Sequence, residues 1–359
     1  MNAEWPFYAA AAGCESKVSE LEKKSGNKYG VIVTGLAVFL VVEIIISFAL
    51  GRYPIPPAQL FGIVFSKLFN IEAFWDSRME TVLWNIRLPR ILLAAFVGTA
   101  LSAAGAAYQG VFQNPMAAPD ILGATSGAAF GAALAIYLGQ PGYMITVFAF
   151  IFSLVTVALV WFISTRARGK KVLGLILSGI IISSLFTAGT SFIKLVADPA
   201  NQLPAITYWL MGSLAGAKKA DVMFAAIPMA IGLIPLFLMR WRINVITLGD
   251  EEATTIGVNA KRVRLIIIMC STLVTAAAVS VSGMIGWVGL VTPHFCRRLV
   301  GNNYRYLMPA SMLFGAAFML FVDNISRNFL AVEIPIGILT AFIGAPFFIF
   351  LIMREGERY

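Results

Sequence analysis

The chain has almost nothing with which to do acid–base or metal chemistry. A single histidine in 359 residues, His294, leaves no H-E-x-x-H zinc motif and argues against a serine triad, which needs a histidine base. Its setting, Thr292-Pro293-His294-Phe295-Cys296, suits a helix-end side chain bonded to backbone better than a ligand. Three scattered cysteines, Cys14, Cys270 and Cys296, form neither a disulfide framework nor a metal-ligand spacing. There is no G-x-x-x-x-G-K-[ST], so the chain has no P-loop of its own for ATP. Charge is scarce too. Only 13% of residues are charged, against roughly 25% in soluble domains, which excludes an ordinary globular protein. No cleavable signal peptide is expected, because residues 1–27 lack a basic start followed by an apolar core, and no apolar run precedes Ala12-Gly13-Cys14.

Apolar sequence is what abounds, at 59% of residues. Measured against the roughly 20 residues needed to cross a bilayer, ten runs read as spans of an all-α, polytopic membrane protein. They are 30–50, 88–110, 121–139, 143–165, 172–195, 222–239, 265–281, 284–300, 306–322 and 334–353. An even number puts both termini on one side. Two thirds of the 27 Lys and Arg residues fall on that side, which makes it the cytoplasmic one. Orientation explains the net charge of +9 better than nucleic-acid binding does, since the bases lie between apolar runs and form no stripe. The expected division is a cytoplasmic tail at 1–29, a ten-helix membrane domain at 30–354 and a cytoplasmic tail at 355–359.

Within that domain, small residues recur every fourth position at Ala94, Gly98, Ser102, Ala106 and Gly110, and again at Gly123, Gly127, Gly131 and Ala135. Such ladders let helix backbones approach closely in lipid. Between them, Gln113-Asn114-Pro115 and Ala118-Pro119-Asp120 predict a tight cytoplasmic loop. The outer segment 51–86 predicts a short amphipathic helix near 58–69. Glu43 is a lone carboxyl inside the first span, which predicts a polar neighbour rather than a proton relay. Asp323, Arg327 and Glu333 gather at the outer end of the ninth span, where a charge network is the plain reading. Arg87 and Arg90, at the outer start of the second span, either engage a partner's carboxylates or anchor the helix.

One polar island stands out. Leu248–Arg264 carries Asp250, Glu251 and Glu252 where the first turn of a short helix would favour acids, Gly257 as its stop, and Asn259 as a cap for a second short helix. On the cytoplasmic face this predicts a docking platform, with Lys261 to Arg264 anchoring the next span.

Several long motifs, in order, resemble the FecCD-type permeases, the membrane subunits of ABC importers for ferric siderophores, cobalamin and haem. They are Arg87-Leu88-Pro89-Arg90, Ser102…Gly105…Gln109, Asn114-Pro115-Met116-Ala117…Pro119, Leu248-Gly249-Asp250…Gly257-Val258, Gly283-Met284-Ile285-Gly286-Trp287-Val288-Gly289-Leu290-Val291-Thr292-Pro293-His294 and Glu333-Ile334-Pro335-Ile336-Gly337…Gly344-Ala345-Pro346. The resemblance implies a homodimeric permease in the cell membrane, with two ATPase subunits below, a substrate-binding protein above, and no cofactor or covalent chemistry of its own. It implies that Leu248, Gly249, Asp250, Glu251, Glu252, Ala253, Ile256, Gly257 and Val258 couple to the ATPase. It places Arg87, Arg90 and Arg327 where relatives dock the binding protein, and the loop Lys170-Lys171-Val172-Leu173-Gly174 at the cytoplasmic gate, with Val172 and Leu173 apolar where the cobalamin permease has hydroxyl residues. The cargo implied is an iron–siderophore-type chelate, with cobalamin, haem or molybdate/tungstate as alternatives. From another class, an ion-coupled secondary transporter has only Glu43 in its favour.

Overall fold

A computed structural model describes residues 28–67, 69, 72–166 and 171–355. The N-terminal tail with Cys14, Lys170 of the expected gate loop and residues 356–359 lie outside them. Among the described residues the fold is entirely helical. In chain order the helices are α1 (Lys28–Ala49), α2 (Pro57–Ser66), α3 (Ser77–Thr81), α4 (Leu88–Val111), α5 (Ala124–Tyr137), α6 (Gly142–Arg166), α7 (Lys171–Val196), α8 (Gln202–Leu210), α9 (Lys219–Leu238), α10 (Arg240–Leu248), α11 (Asp250–Thr255), α12 (Ala260–Ser282), α13 (Val288–Val300), α14 (Tyr304–Asn328) and α15 (Ile336–Glu355). Seven are long and apolar enough to cross a membrane: α1, the continuous run Ser77–Val111, α6, α7, α9, α12 and α14. This is a polytopic membrane protein.

Helix α4 is the spine, because its small residues let neighbours reach its backbone. Gly98 meets the backbone of Gly315 on α14, and a Cβ on Gly105 would lie 1.8 Å from the Gly289 carbonyl oxygen on α13. Close approach of this kind replaces the hydrophobic effect as the source of helix association in lipid, through dispersion between well-fitted surfaces. The second ladder works the same way, with Gly127 and Gly131 against the Phe152 and Phe148 carbonyls of α6. Upstream of α4, the turns at Val82–Arg87 widen to π-helix. Pro89 explains this, since it lacks an N–H and its ring crowds the carbonyl four residues back.

Two expected spans are shorter than their apolarity suggests. Helix α5 has 14 residues and α13 has 13, roughly 21 and 20 Å at 1.5 Å per residue. Both begin inside the bundle. The backbone at Ile121 packs on Gly179, and Gly123 on Ser183, near the middle of the 26-residue α7. Gly289 packs against Leu101 and Gly105 within α4. Residues 112–120, expected as a cytoplasmic loop, and 121–123, expected within the third span, therefore re-enter the bundle, and 283–287 do so from the opposite end. Their backbone groups are paired within protein, for example Gly123 N–H to Asp120 O at 2.7 Å and Asn114 N–H to Gln109 O at 3.2 Å, which is what allows irregular chain at that depth.

The short outer-segment helix forms at Pro57–Ser66, close to the predicted 58–69. Helices α8 and α10 were not foreseen. The turn before α8 is organised by Asp198, whose carboxyl is held below the usual carboxylate range first by the Ala200 N–H and then by the Asn201 side chain.

Candidate functional site

At one end of the bundle, α11 projects from a rigid mount. Gly249 begins it at φ +132°, a conformation that favours glycine, and a Cβ there would run into the Glu252 carboxylate. Gly257 ends it at φ +83°. Val258 N–H bonds Ala253 O at 2.8 Å and Gly257 N–H bonds Thr254 O at 3.0 Å, a Schellman stop. Ala253 and Val258 are buried in the main core, while Leu248 and Ile256 are 62% and 52% exposed beside the exposed Glu251 and Glu252. The island is thus anchored by small apolar residues and presents two large ones with acids around them.

Three side chains fix this mount to the spans. Arg264 of α12 makes a bidentate pair with Asp250, at 2.8 and 3.1 Å. Gln113 Nε2 donates to the Ile246 carbonyl of α10 at 2.9 Å, and Asn244 accepts the Tyr304 N–H at the start of α14 at 2.8 Å. Asn259 Oδ1 caps α12 through the Arg262 N–H at 3.1 Å, as the sequence predicts. The second short surface helix does not exist, because the chain from Ala260 runs straight on to Ser282. Arg264 also differs from expectation. It is buried and ties α11 down rather than facing the membrane surface.

At the opposite end lies an arginine cluster. Arg90 Nε donates to Asp323 at 2.9 and 3.2 Å, and its Nη1 to Glu333 at 3.0 and 2.9 Å. Asp323 also pairs with Arg327 Nε at 3.3 Å. Arg87 donates to the carbonyls of Phe48, Ala49 and Tyr53, satisfying the end of α1. Arg52 does the same for α14, through the carbonyls of Arg327 and Leu330 at 3.1 and 3.2 Å. Arg87, Arg90 and Arg327 are all buried, so the three predicted docking arginines are brought together but already have partners within the chain. A cavity of about 210 Å³ nevertheless opens onto them, lined by Arg52, Arg87, Arg90, Arg327 and Glu333. Arg90 Nη2 is buried there without a hydrogen-bond partner among the described residues. Glu43 meets Asn324, the polar neighbour expected of it.

Between the two ends, α7 walls a groove of about 650 Å³ in which hydroxyl residues and Asp120 alternate with apolar ones such as Met116, Ile121 and Ile180. Val172 and Leu173 stand at the α11 end of the same helix, Val172 half-buried and Leu173 exposed. An adjoining cavity of about 320 Å³ lies where α5 and α13 begin, and Trp287 lines it. Trp287 was not singled out as a site residue. Its φ of +69° is strained for a bulky residue, and the sequence offers only the surrounding glycines as a signal. His294 sits within α13 rather than at its end, its ring edge-on to Phe348 at 6.5 Å.

Comparison with known proteins fits this architecture. The chain is 40% identical over 328 residues to the molybdate import system permease protein MolB of Haemophilus influenzae, covering 91% of this chain and 97% of that one. It is 41% identical over 279 residues to the cobalamin import system permease protein BtuC of Halobacterium salinarum, covering 77% and 74%. A solved structure assigned to a metal-chelate type ABC transporter, in an inward-facing conformation, superposes with a TM-score of 0.81 at 39% identity, covering 90% of this chain and 99% of that one. The profile of the FecCD transport family matches residues 39–354. Long helices around a glycine-lined spine, two half-length helices and a rigidly mounted α11 are therefore the build of a member of the FecCD transport family, to which this chain belongs.

Proposed function

We propose that the chain is the permease subunit of a binding-protein-dependent ABC importer, spanning the membrane ten times with both termini in the cytoplasm. Two copies form the translocation path for a metal chelate, and ATP is hydrolysed by a separate subunit. The observation that carries this reading is α11. It lies between exposed Leu248 and Ile256 and presents Glu251 and Glu252, on a mount in which Arg264 of α12 holds Asp250, Gln113 just beyond α4 holds α10, and Asn244 holds α14. A force applied to α11 is thereby delivered to the spans instead of being lost in a loop. In a chain without a P-loop, such a surface suits an external ATPase, whose closure on ATP would bias two states of the path.

The arginine cavity supports docking of a substrate-binding protein at the other face. Asp323 is fully buried, whereas the Glu333 side chain is a quarter exposed. A partner's carboxylate entering the cavity would displace Glu333 from Arg90, leave Asp323 in place and find the unpartnered Nη2. Val172 and Leu173 form the gate at the cytoplasmic end of α7 in this reading.

The test is uptake into proteoliposomes that contain the permease, its ATPase and its binding protein. Replacing Asp250, Glu251 and Glu252 by Lys should leave ATP hydrolysis running while uptake stops. Uptake driven by a proton or sodium gradient with neither partner present would overturn the proposal in favour of a secondary transporter.

A further inference from the structure

A cavity of about 520 Å³ opens at the arginine-cluster end of the bundle, where the end of α2, the continuous run from α3 into α4 and the start of α9 meet. Lys67, just past α2, and Lys219, the first residue of α9, both line it. Lys67 Nζ lies 3.3 Å from the Glu80 carboxylate, but the two side chains are 61% and 39% exposed, so the pair is weak. Lys219 has no carboxylate partner among the described residues, since nearby Asp221 accepts the Lys218 N–H at 2.9 Å. Two ammonium groups thus face one carboxylate, with the hydroxyls of Ser77 and Thr81 in the same wall. That balance suits a ligand carrying an anionic oxygen group. Further along the run into α4 the lining turns apolar, through Trp84 to Leu88. Tryptophan is the side chain favoured at the boundary between polar headgroups and hydrocarbon. From Lys219 onward, Met223, Ile227, Ile231 and Ile234 follow one side of α9, each at least 59% exposed. Charge at the mouth and a bare apolar ridge leading away from it call for an amphipathic ligand.

We propose that this cavity binds one anionic phospholipid, with its headgroup phosphate between Lys67 and Lys219 and an acyl chain along the Met223–Ile227–Ile231 ridge. The lipid has a structural task there. Ile55, Leu60, Ile63 and Leu83 form a small core around α2 that is separate from the main one, so α2 is not fastened to the spans by the packing that unites them. A phosphate shared by Lys67 and Lys219 ties α2 to α9. Val82 packs on the α2 core and also lines the arginine cavity, so the lipid braces the rim of that cavity from its far side. The site stands whether or not the arginine cavity docks a partner.

The experiment titrates the full chain, purified in detergent, with phosphatidylglycerol or with phosphatidylcholine of the same acyl chains, and counts bound lipids by native mass spectrometry. The first phosphatidylglycerol should bind more tightly than the first phosphatidylcholine. Lys219→Gln should weaken it about fivefold, the equivalent of about 1 kcal/mol for one lysine beside an anionic lipid. Glu80→Gln should tighten it, because Lys67 loses its competing carboxylate. Lys194→Gln, near the end of α7 and outside the cavity, should leave it unchanged. None of these three side chains is buried, so the variants keep the fold, which a common thermal midpoint verifies. An unaltered affinity in Lys219→Gln, or an equal loss in Lys194→Gln, overturns the proposal, since net charge alone then holds the lipid. Displacement of the lipid by excess glycerol 3-phosphate at constant ionic strength also overturns it, and makes the cavity a site for a free anion.

Discussion

Asp323 shows how much of this protein's outer face depends on single side chains. It is fully buried between Arg90 and Arg327, so its removal would leave two guanidinium groups without their shared counter-charge. Breaking a buried pair in this way costs about 3–5 kcal/mol, and Asp323→Ala should lower the thermal unfolding midpoint of the purified protein by many degrees. Glu333→Gln is the contrasting case. Its side chain is 25% exposed, water compensates the loss, and stability should change by about 1 kcal/mol or less. The same variant should bind the substrate-binding protein more tightly in a titration, because Arg90 no longer has an internal competitor; weaker binding would refute the exchange of carboxylates. The sequence shows the R-x-x-R pair plainly, yet it cannot show that Arg90 finds its partners at Asp323 and Glu333, more than two hundred residues on. Position along the chain says nothing of which ends of which helices meet.

At the scale of the element, two contacts invite direct tests. The Gly105–Gly289 approach leaves no room for a methyl group, since backbone lies on both sides of the gap. Gly105→Ala should therefore force α13 off α4 and cost about 1–3 kcal/mol or more, read as loss of folded protein in detergent. Arg264→Ala should instead leave the spans intact and loosen α11, so that the ATPase still binds but its hydrolysis no longer responds to loaded binding protein. Retained stimulation in that variant would show that the Arg264–Asp250 pair is not part of the linkage. The small-residue ladders, the Gly257 stop and the Asn259 cap were all legible because each is a local pattern with a local cause. The half-length helices were not. Residues 121–139 and 284–300 are apolar enough to read as spans, and apolarity cannot separate a chain buried in lipid from one buried in protein. Only Gly123, Gly283 and the prolines at 115 and 119 hinted at the breaks.

At the scale of the whole molecule, α7 presents a long apolar face that no other described helix covers. Leu173, Leu177, Ile181, Leu185 and Phe192 of α7 are each at least half exposed. Lipid or a second copy must cover them, and the proposed dimer assigns them to the copy. Charged substitutions here, Ile181→Asp with Leu185→Asp, should convert dimer to monomer in detergent as measured by light scattering coupled to chromatography; an unaltered dimer would place the interface elsewhere. The family and the helical architecture were readable from sequence because long motifs and apolar length survive without coordinates. The groove and its carboxylate were not, because they arise only where 112–123 turns back beside α7.

The two half-helices also bear on how the protein is made. With 14 and 13 residues, α5 and α13 fall short of the roughly 20 that a nascent segment needs to be released into the bilayer as an independent span. Each depends on protein neighbours for its place in the membrane. Helix α5 has to wait for α6 and α7, whose synthesis follows within seconds, and α13 has to be laid against an α4 inserted long before. The contact at Gly105 cannot form before Gly289 has been made, so the packing around α4 waits for most of the chain to be synthesised.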